Sequence, residues 1–366
     1  MAPEPDSLAC CPDLHDRIAR LRALYERRAA DRIFAAFSLP SPALQAFAAR
    51  YGSGFCDAPD PRERIAFWDE HLSVRRDLYD DSVPAAYLSE CDQGLYGGIL
   101  GGEVRYLADP DTGWISSMVP PLLKDWSDFQ QLRIDPQGPA FQAYRRQLQI
   151  FRDGAAGRFG LSHFILIDSL NFVYELVGAT RTYLALYDVP ELVRRAIDLA
   201  FELNVLVQET FFQAGTLVAG GTCSNMVEWI PGRIVSESVD PFHMTGVDDF
   251  ETWGREPVER ILGRFDGGVI HIHANGRHLL EAVSTVRGIK AVYLGDDRGF
   301  PPAFEILPEV RRRVGDLPLV VSCALEPFVD ALRRGRLTGG VMYKVSGAPD
   351  ADSANRLMER VRTYRA

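Results

Sequence analysis

The segment Gly267-Gly-Val-Ile-His-Ile-His-Ala-Asn-Gly276 carries two histidines two positions apart, so a strand there projects both imidazoles from one side. The next apolar run, Ala291-Val-Tyr-Leu-Gly-Asp-Asp297, ends in two carboxylates, and the one after it, Leu317-Pro-Leu-Val-Val-Ser-Cys323, ends in a thiol. An earlier run, Ile234-Val-Ser-Glu-Ser-Val-Asp-Pro-Phe-His243, adds Asp240 and His243. Imidazole, carboxylate and thiolate together are the ligands of a divalent transition metal, zinc foremost, with iron or manganese suited to two histidines and one carboxylate. The expected metal ligands are therefore His271, His273, Asp296 and Cys323, with Asp240 or His243 as acid, base or orienting group. Each residue also has a plainer role open to it: Cys323 as a small core side chain, Asp297 as a helix cap, His278 as a solvent-facing helix residue.

Weaker candidates flank this set. Gly220-Gly-Thr-Cys-Ser-Asn225 reads as a turn where glycine lets the backbone approach a ligand, which nominates Cys223. Trp229 and Arg233 would shape the neighbouring rim, Asn275 sits in an Asn-Gly turn, and Asp168 ends an apolar run, so all four are expected to contact substrate.

Such residues need a scaffold that gathers strand ends. From about residue 160, short apolar runs at 163–168, 217–220, 234–239, 267–274, 290–296, 317–323 and 339–346 alternate with helical patterns at 190–214, 249–265, 277–286, 304–314, 325–334 and 351–364. This alternation predicts parallel strands joined by right-handed crossovers. With an early run at 32–37 the count reaches the eight of a (β/α)8 TIM barrel, whose chemistry lies at the carboxyl ends of its strands. An open doubly wound sheet competes, but the strand-to-helix turns lack a GxGxxG phosphate loop. The 366 residues then read as a single α/β barrel domain over 1–366, with an amphipathic helix at 13–31, regular units over 162–366, and residues 40–160 as a cap or insertion over the strand ends. Within that insertion, 103–107 and 114–118 read as a β-hairpin.

Composition narrows the function further. Apolar residues make up 46% and charged residues 25%, which suits a large core. Forty Lys and Arg against fifty Asp and Glu leave a charge of −10, which argues against a nucleic-acid partner. Six cysteines are too few for a disulfide framework, no apolar run approaches a membrane span, and the first residues lack a signal-peptide pattern. A cytoplasmic protein acting on a small molecule is expected.

The residues Val269-Ile-His-Ile-His-Ala-Asn-Gly276, with Asp249-Phe-Glu-Thr-Trp-Gly-Arg-Glu-Pro257, Tyr187-Asp-Val-Pro-Glu-Leu-Val-Arg-Arg195 and Ser353-Ala-Asn-Arg-Leu-Met-Glu359, resemble the uroporphyrinogen decarboxylase superfamily. The resemblance runs from about residue 120 to the end. It implies a (β/α)8 barrel and one of three branches: porphyrinogen decarboxylases, zinc-dependent corrinoid:thiol methyltransferases, or cobalamin-independent methionine synthases. The decarboxylases' Arg-Gln-Ala-Gly-Arg segment is missing, and Ser38-Leu-Pro-Ser-Pro42 follows the early strand instead. The methyltransferases' zinc-binding His-x-Cys matches His271 and His273, with the second ligand changed from thiolate to imidazole. The methionine synthases' carboxylate falls near Asp296. Their last cysteine would fall within Lys344-Val-Ser-Gly347, which has none, and Cys323 one strand earlier is the available substitute.

By resemblance the expected activity is zinc-dependent methyl transfer to a small thiol or alcohol, with a corrinoid or folate methyl donor, a corrinoid-protein partner and a homodimeric assembly. The alternatives are a metal-free decarboxylase of the porphyrinogen type, using Asp240 or Asp168 to stabilise a protonated pyrrole-like intermediate, and a non-enzymatic ligand-binding barrel.

Overall fold

The computed structural model describes residues 7–366. Six strands form one parallel sheet in the spatial order Ile33–Phe37, Val341–Ser346, Leu319–Ala324, Ile289–Leu294, Gly268–Ile272 and Val235–Ser238. Apart from the first, spatial order follows sequence order, and each step crosses a helical segment, as parallel neighbours require. Ala85–Tyr87 and Gly160–His163 pair in parallel in a second sheet, which continues through the antiparallel hairpin Gly221–Ser224 and Glu228–Pro231.

The large sheet is buried on both faces, which explains why its strands read as continuous apolar runs. Ile270, Val292, Leu294, Val321, Val341 and Val345 face a shell of helices that includes Arg255–Arg264, Leu307–Val314, Leu325–Arg333 and Ala351–Thr363. On the other face Phe34, Val269, Ala291, Val320 and Met342 form a layer with the helix Leu14–Tyr25 and the 221–231 hairpin. One step further along the same face the layer turns polar, with His271, Tyr293, Ser322 and Lys344. Strand alternation therefore separates an apolar amino end from a polar carboxyl end.

Local rules set the helix boundaries. Pro190 starts the long helix Pro190–Gln213, where a missing N–H costs nothing. Asp350 caps Ala351–Thr363 by accepting the Ser353 N–H. The helix expected over 249–265 is two, Val247–Trp253 and Arg255–Arg264. They meet at Gly254, where a Cβ would press on Phe242 and Phe250.

Three expectations need correction. Among the described residues the strand pairing divides into two sheets and does not close into a continuous eight-stranded barrel. At one edge Asp80 and Asp81 accept the N–H groups of Phe37 and Ala35, taking the place of a neighbouring strand's carbonyls. At the other, Val235–Ser238 meets the second sheet through a single bridge, Ile165 to Ser236. The runs at 163–168 and 217–220 are not strands as expected: the first strand is Gly160–His163, ending where its run begins, and the second is Gly221–Ser224. Finally, the 40–160 segment supplies Ala85–Tyr87, a parallel strand, besides its helices and the antiparallel sheet of Gly54–Cys56, Arg105–Asp109 and Trp114–Met118. The last two of these strands are the expected hairpin. No helix among the described residues is long and apolar enough to cross a membrane.

Candidate metal centre

The Gly268–Ile272 strand projects His271 from its polar face and places His273 just past its end. Their ring centroids are 4.4 Å apart. The adjacent Val235–Ser238 strand runs into a single 3-10 turn, Asp240–Met244, which brings Asp240 to the same place. One ligand atom each from Asp240, His271 and His273 lies within 4.8 Å of the others. Asp240 Oδ2 is 4.0 Å from His273 Nε2, too far for a hydrogen bond and suited to a shared ion.

The surroundings prepare these groups for a cation. Burial lowers the His271 pKa to about 4, so its ring is neutral and keeps a lone pair at physiological pH. Asp297 accepts from His273 Nδ1 at 2.9 Å and from the Ala274 N–H at 2.7 Å, which turns Nε2 of His273 toward Asp240. Gly295 leaves open the space beside the two rings: a Cβ there would lie 2.9 Å from His271 Nε2. His243, whose pKa burial also lowers to about 4, stands behind Asp240 with Nδ1 3.5 Å from Oδ1. Two imidazoles, one carboxylate and a cleared space fit a divalent transition metal.

The other expected site residues lie elsewhere or serve other contacts. Asp296 bonds Arg277 at 3.0 Å and the Ala303 N–H at 2.7 Å. Burial, with the Asp296 charge adding to it, pushes the Cys323 thiol up to about 12. Cys223 and Trp229 are fully buried in the layer beneath helix Leu14–Tyr25, where Trp229 Nε1 donates to Val218 O at 2.7 Å. Arg233 precedes its strand, at the amino end, and is paired with Asp266. Asn275 is exposed next to the centre, and its backbone N–H bonds Asp297. Asp168 is buried directly before the helix Ser169–Val177. Gly276, Gly295 and the orienting role of Asp297 were not anticipated. The clue available in the sequence was the Asp-Asp pair at 296 and 297, of which the second member serves His273.

No family model and no curated protein sequence matches this chain. Among solved structures, one described as a methyltransferase from Methanosarcina mazei superposes with a TM-score of 0.58. The match covers 95% of this chain and 98% of that one, at 14% sequence identity. The two share a fold. At that identity the likeness concerns architecture along nearly the whole length of both chains, including the 40–160 segment.

Proposed function

We propose that this protein is a metal-dependent methyltransferase of the uroporphyrinogen decarboxylase superfamily, acting on a small thiol or alcohol. The observation that carries the proposal is the convergence of Asp240, His271 and His273 at the carboxyl end of a parallel sheet. The shared fold with a methyltransferase supports the reaction class. We read the two sheets as one elaborated (β/α)8 barrel spanning residues 1–366, with most of 40–160 as its cap.

In this reading Asp240, His271 and His273 hold the ion, zinc by preference, and Asp297 keeps the His273 ring in the required tautomer. When bound, the ion supplies Lewis acidity that lowers the pKa of a thiol or alcohol and favours its nucleophilic anion. His243 stands beside Asp240, and Tyr293, with its ring 5.3 Å from His271, walls the space beside the imidazoles. A corrinoid or folate is the proposed methyl donor.

Elemental analysis of protein purified without added metal tests this reading. About one transition-metal ion per chain is expected in the wild type and none in His271→Ala, with both folded by circular dichroism. Absence of metal from both, even after incubation with zinc, removes the proposal.

A further inference from the structure

The helices Pro42–Arg50 and Pro61–Ser73, in the 40–160 segment, border a groove of about 190 Å³. None of its lining residues belongs to the metal centre. Glu63, Arg64, Phe67 and Glu70 fall at helical spacing and line one wall, and Phe47 and Tyr51 line the other. The volume is below that of a site for a drug-sized molecule and suits a ligand with one ring.

The deep part of the groove is aromatic. Phe47 stacks on Tyr51 with ring centroids 4.6 Å apart and lies 5.3 Å from Phe67. The Arg64 guanidinium carbon is 4.8 Å from the Phe67 centroid and 5.4 Å from that of Phe47. Arg64 itself is only 3% exposed. Its Nε pairs with the buried Glu90, and its Nη2 donates to Gly113 O at 2.8 Å. Among the described residues Nη1 has no acceptor, and the side chain borders the groove. An N–H left open on a side chain this buried calls for an acceptor. Glu90 already balances the charge of Arg64, so a neutral oxygen such as a phenol's meets that need.

The rim is charged in both signs. Arg50 and Glu63 pair at 3.0 Å, and both side chains are more than half exposed. An ion pair so exposed contributes little stability, so a ligand bearing both charges can replace it at small cost. Asp60 and Glu70 also line the groove, which sets three carboxylates against the two guanidiniums of Arg50 and Arg64. That excess disfavours a ligand whose only charge is a carboxylate.

We propose that this groove binds a one-ring aromatic amino acid, tyrosine in preference to phenylalanine. Arg50 takes the ligand's carboxylate and Glu63 its ammonium, while the ring rests on Phe47, Tyr51 and Phe67. The phenol oxygen accepts from Arg64 Nη1. The site is separate from the metal centre and does not depend on the function proposed above.

Equilibrium dialysis with labelled L-tyrosine, L-phenylalanine, tyramine and hydroxyphenylpropionate tests the site. Tyrosine should bind saturably with a Kd below about 1 mM. Phenylalanine leaves Arg64 Nη1 open and should bind about 3–10-fold more weakly. Tyramine and hydroxyphenylpropionate each lack one of the two charges and should be weaker by about tenfold or more. Ala46→Trp, which fills the groove from its exposed rim, should abolish binding, and Glu63→Gln should weaken it about tenfold, with both variants folded by circular dichroism. His271→Ala should bind tyrosine as the wild type does. If Ala46→Trp does not fold, Glu63→Gln decides the location. Absence of saturable tyrosine binding, or undiminished binding by the groove variants, overturns the site. Phenylalanine bound as tightly as tyrosine overturns the contact with Arg64, and single-charge analogues bound as tightly overturn the clasp at the rim. Loss of binding in His271→Ala would move the ligand to the metal centre and overturn the proposal.

Discussion

Asp297 grips His273 twice, once through the Nδ1 hydrogen bond at 2.9 Å and once through the N–H of the following residue, Ala274. Burial works to raise the Asp297 carboxyl, but the bond and charge of His273 and the N–H groups of Ala274 and Asn275 outweigh it, and the net shift is downward. Asp297→Asn keeps the shape and removes the charge, so it should weaken zinc binding about 10–100-fold with little change in melting temperature. Competition titration against a chromophoric chelator measures the affinity, and an unchanged value would strip Asp297 of its orienting role.

Gly276 touches the centre without offering a side chain. A Cβ at this position would overlap the His243 ring, which backs Asp240. Gly276→Ala should therefore displace His243, costing about 1–3 kcal/mol of stability and weakening zinc binding. Denaturant unfolding and the same chelator assay read the two effects. A variant as stable and as tight as the wild type would show that the ring moves freely.

Cys323 distinguishes the ligand set expected from spacing from the one the fold assembles. Its half-buried thiol holds its proton up to about 12, and its neighbour Asp296 is committed to Arg277 and Ala303. Cys323→Ala should keep its metal stoichiometry and its affinity within about threefold, well under one decade of binding free energy. Loss of the ion from this variant would restore the thiol to the coordination sphere.

His163 is fully buried, stacked on Phe164 with ring centroids 5.8 Å apart, and Nδ1 lies 3.2 Å from Ser236 Oγ. Burial lowers its pKa to about 3. A histidine with a depressed folded pKa stabilises the fold above its unfolded value near 6.5, and that contribution is lost as pH falls toward 3. In His163→Phe the loss of stability between about pH 6.5 and 4 should be shallower than in the wild type, by up to about 1.4 kcal/mol per pH unit. Denaturant unfolding at a series of pH values supplies the comparison. Equal slopes would mean that His163 is protonated within the fold.

The alternation of apolar runs and helical patterns made the parallel sheet legible, and five of its six strands lie within two residues of their expected bounds. The sixth, Ile33–Phe37, was also anticipated from its apolar run. His271 and His273 were visible because their spacing of two forces them to one side of any strand. The third member of the cluster was not legible by spacing. Asp240 and Asp296 both follow strand ends, and the choice between them depends on Arg277, which reaches across from the preceding segment to hold Asp296. Trp229 and Cys223 were misplaced for a related reason. The Glu228–Pro231 segment folds back antiparallel to Gly221–Ser224, which carries both side chains to the amino end of the sheet.

The helix Leu14–Tyr25 and the 221–231 hairpin seal that amino end, locked together where Tyr25 Oη donates to Val227 O at 2.7 Å. A molecule would then reach His271 and His273 from the carboxyl end of the strands, a doorway flanked in sequence by the exposed Met244 and Phe300. For a reaction with two substrates this has a kinetic signature. Donor and acceptor cannot queue on opposite sides, so product left in the doorway should block both, and product inhibition should be felt against either substrate.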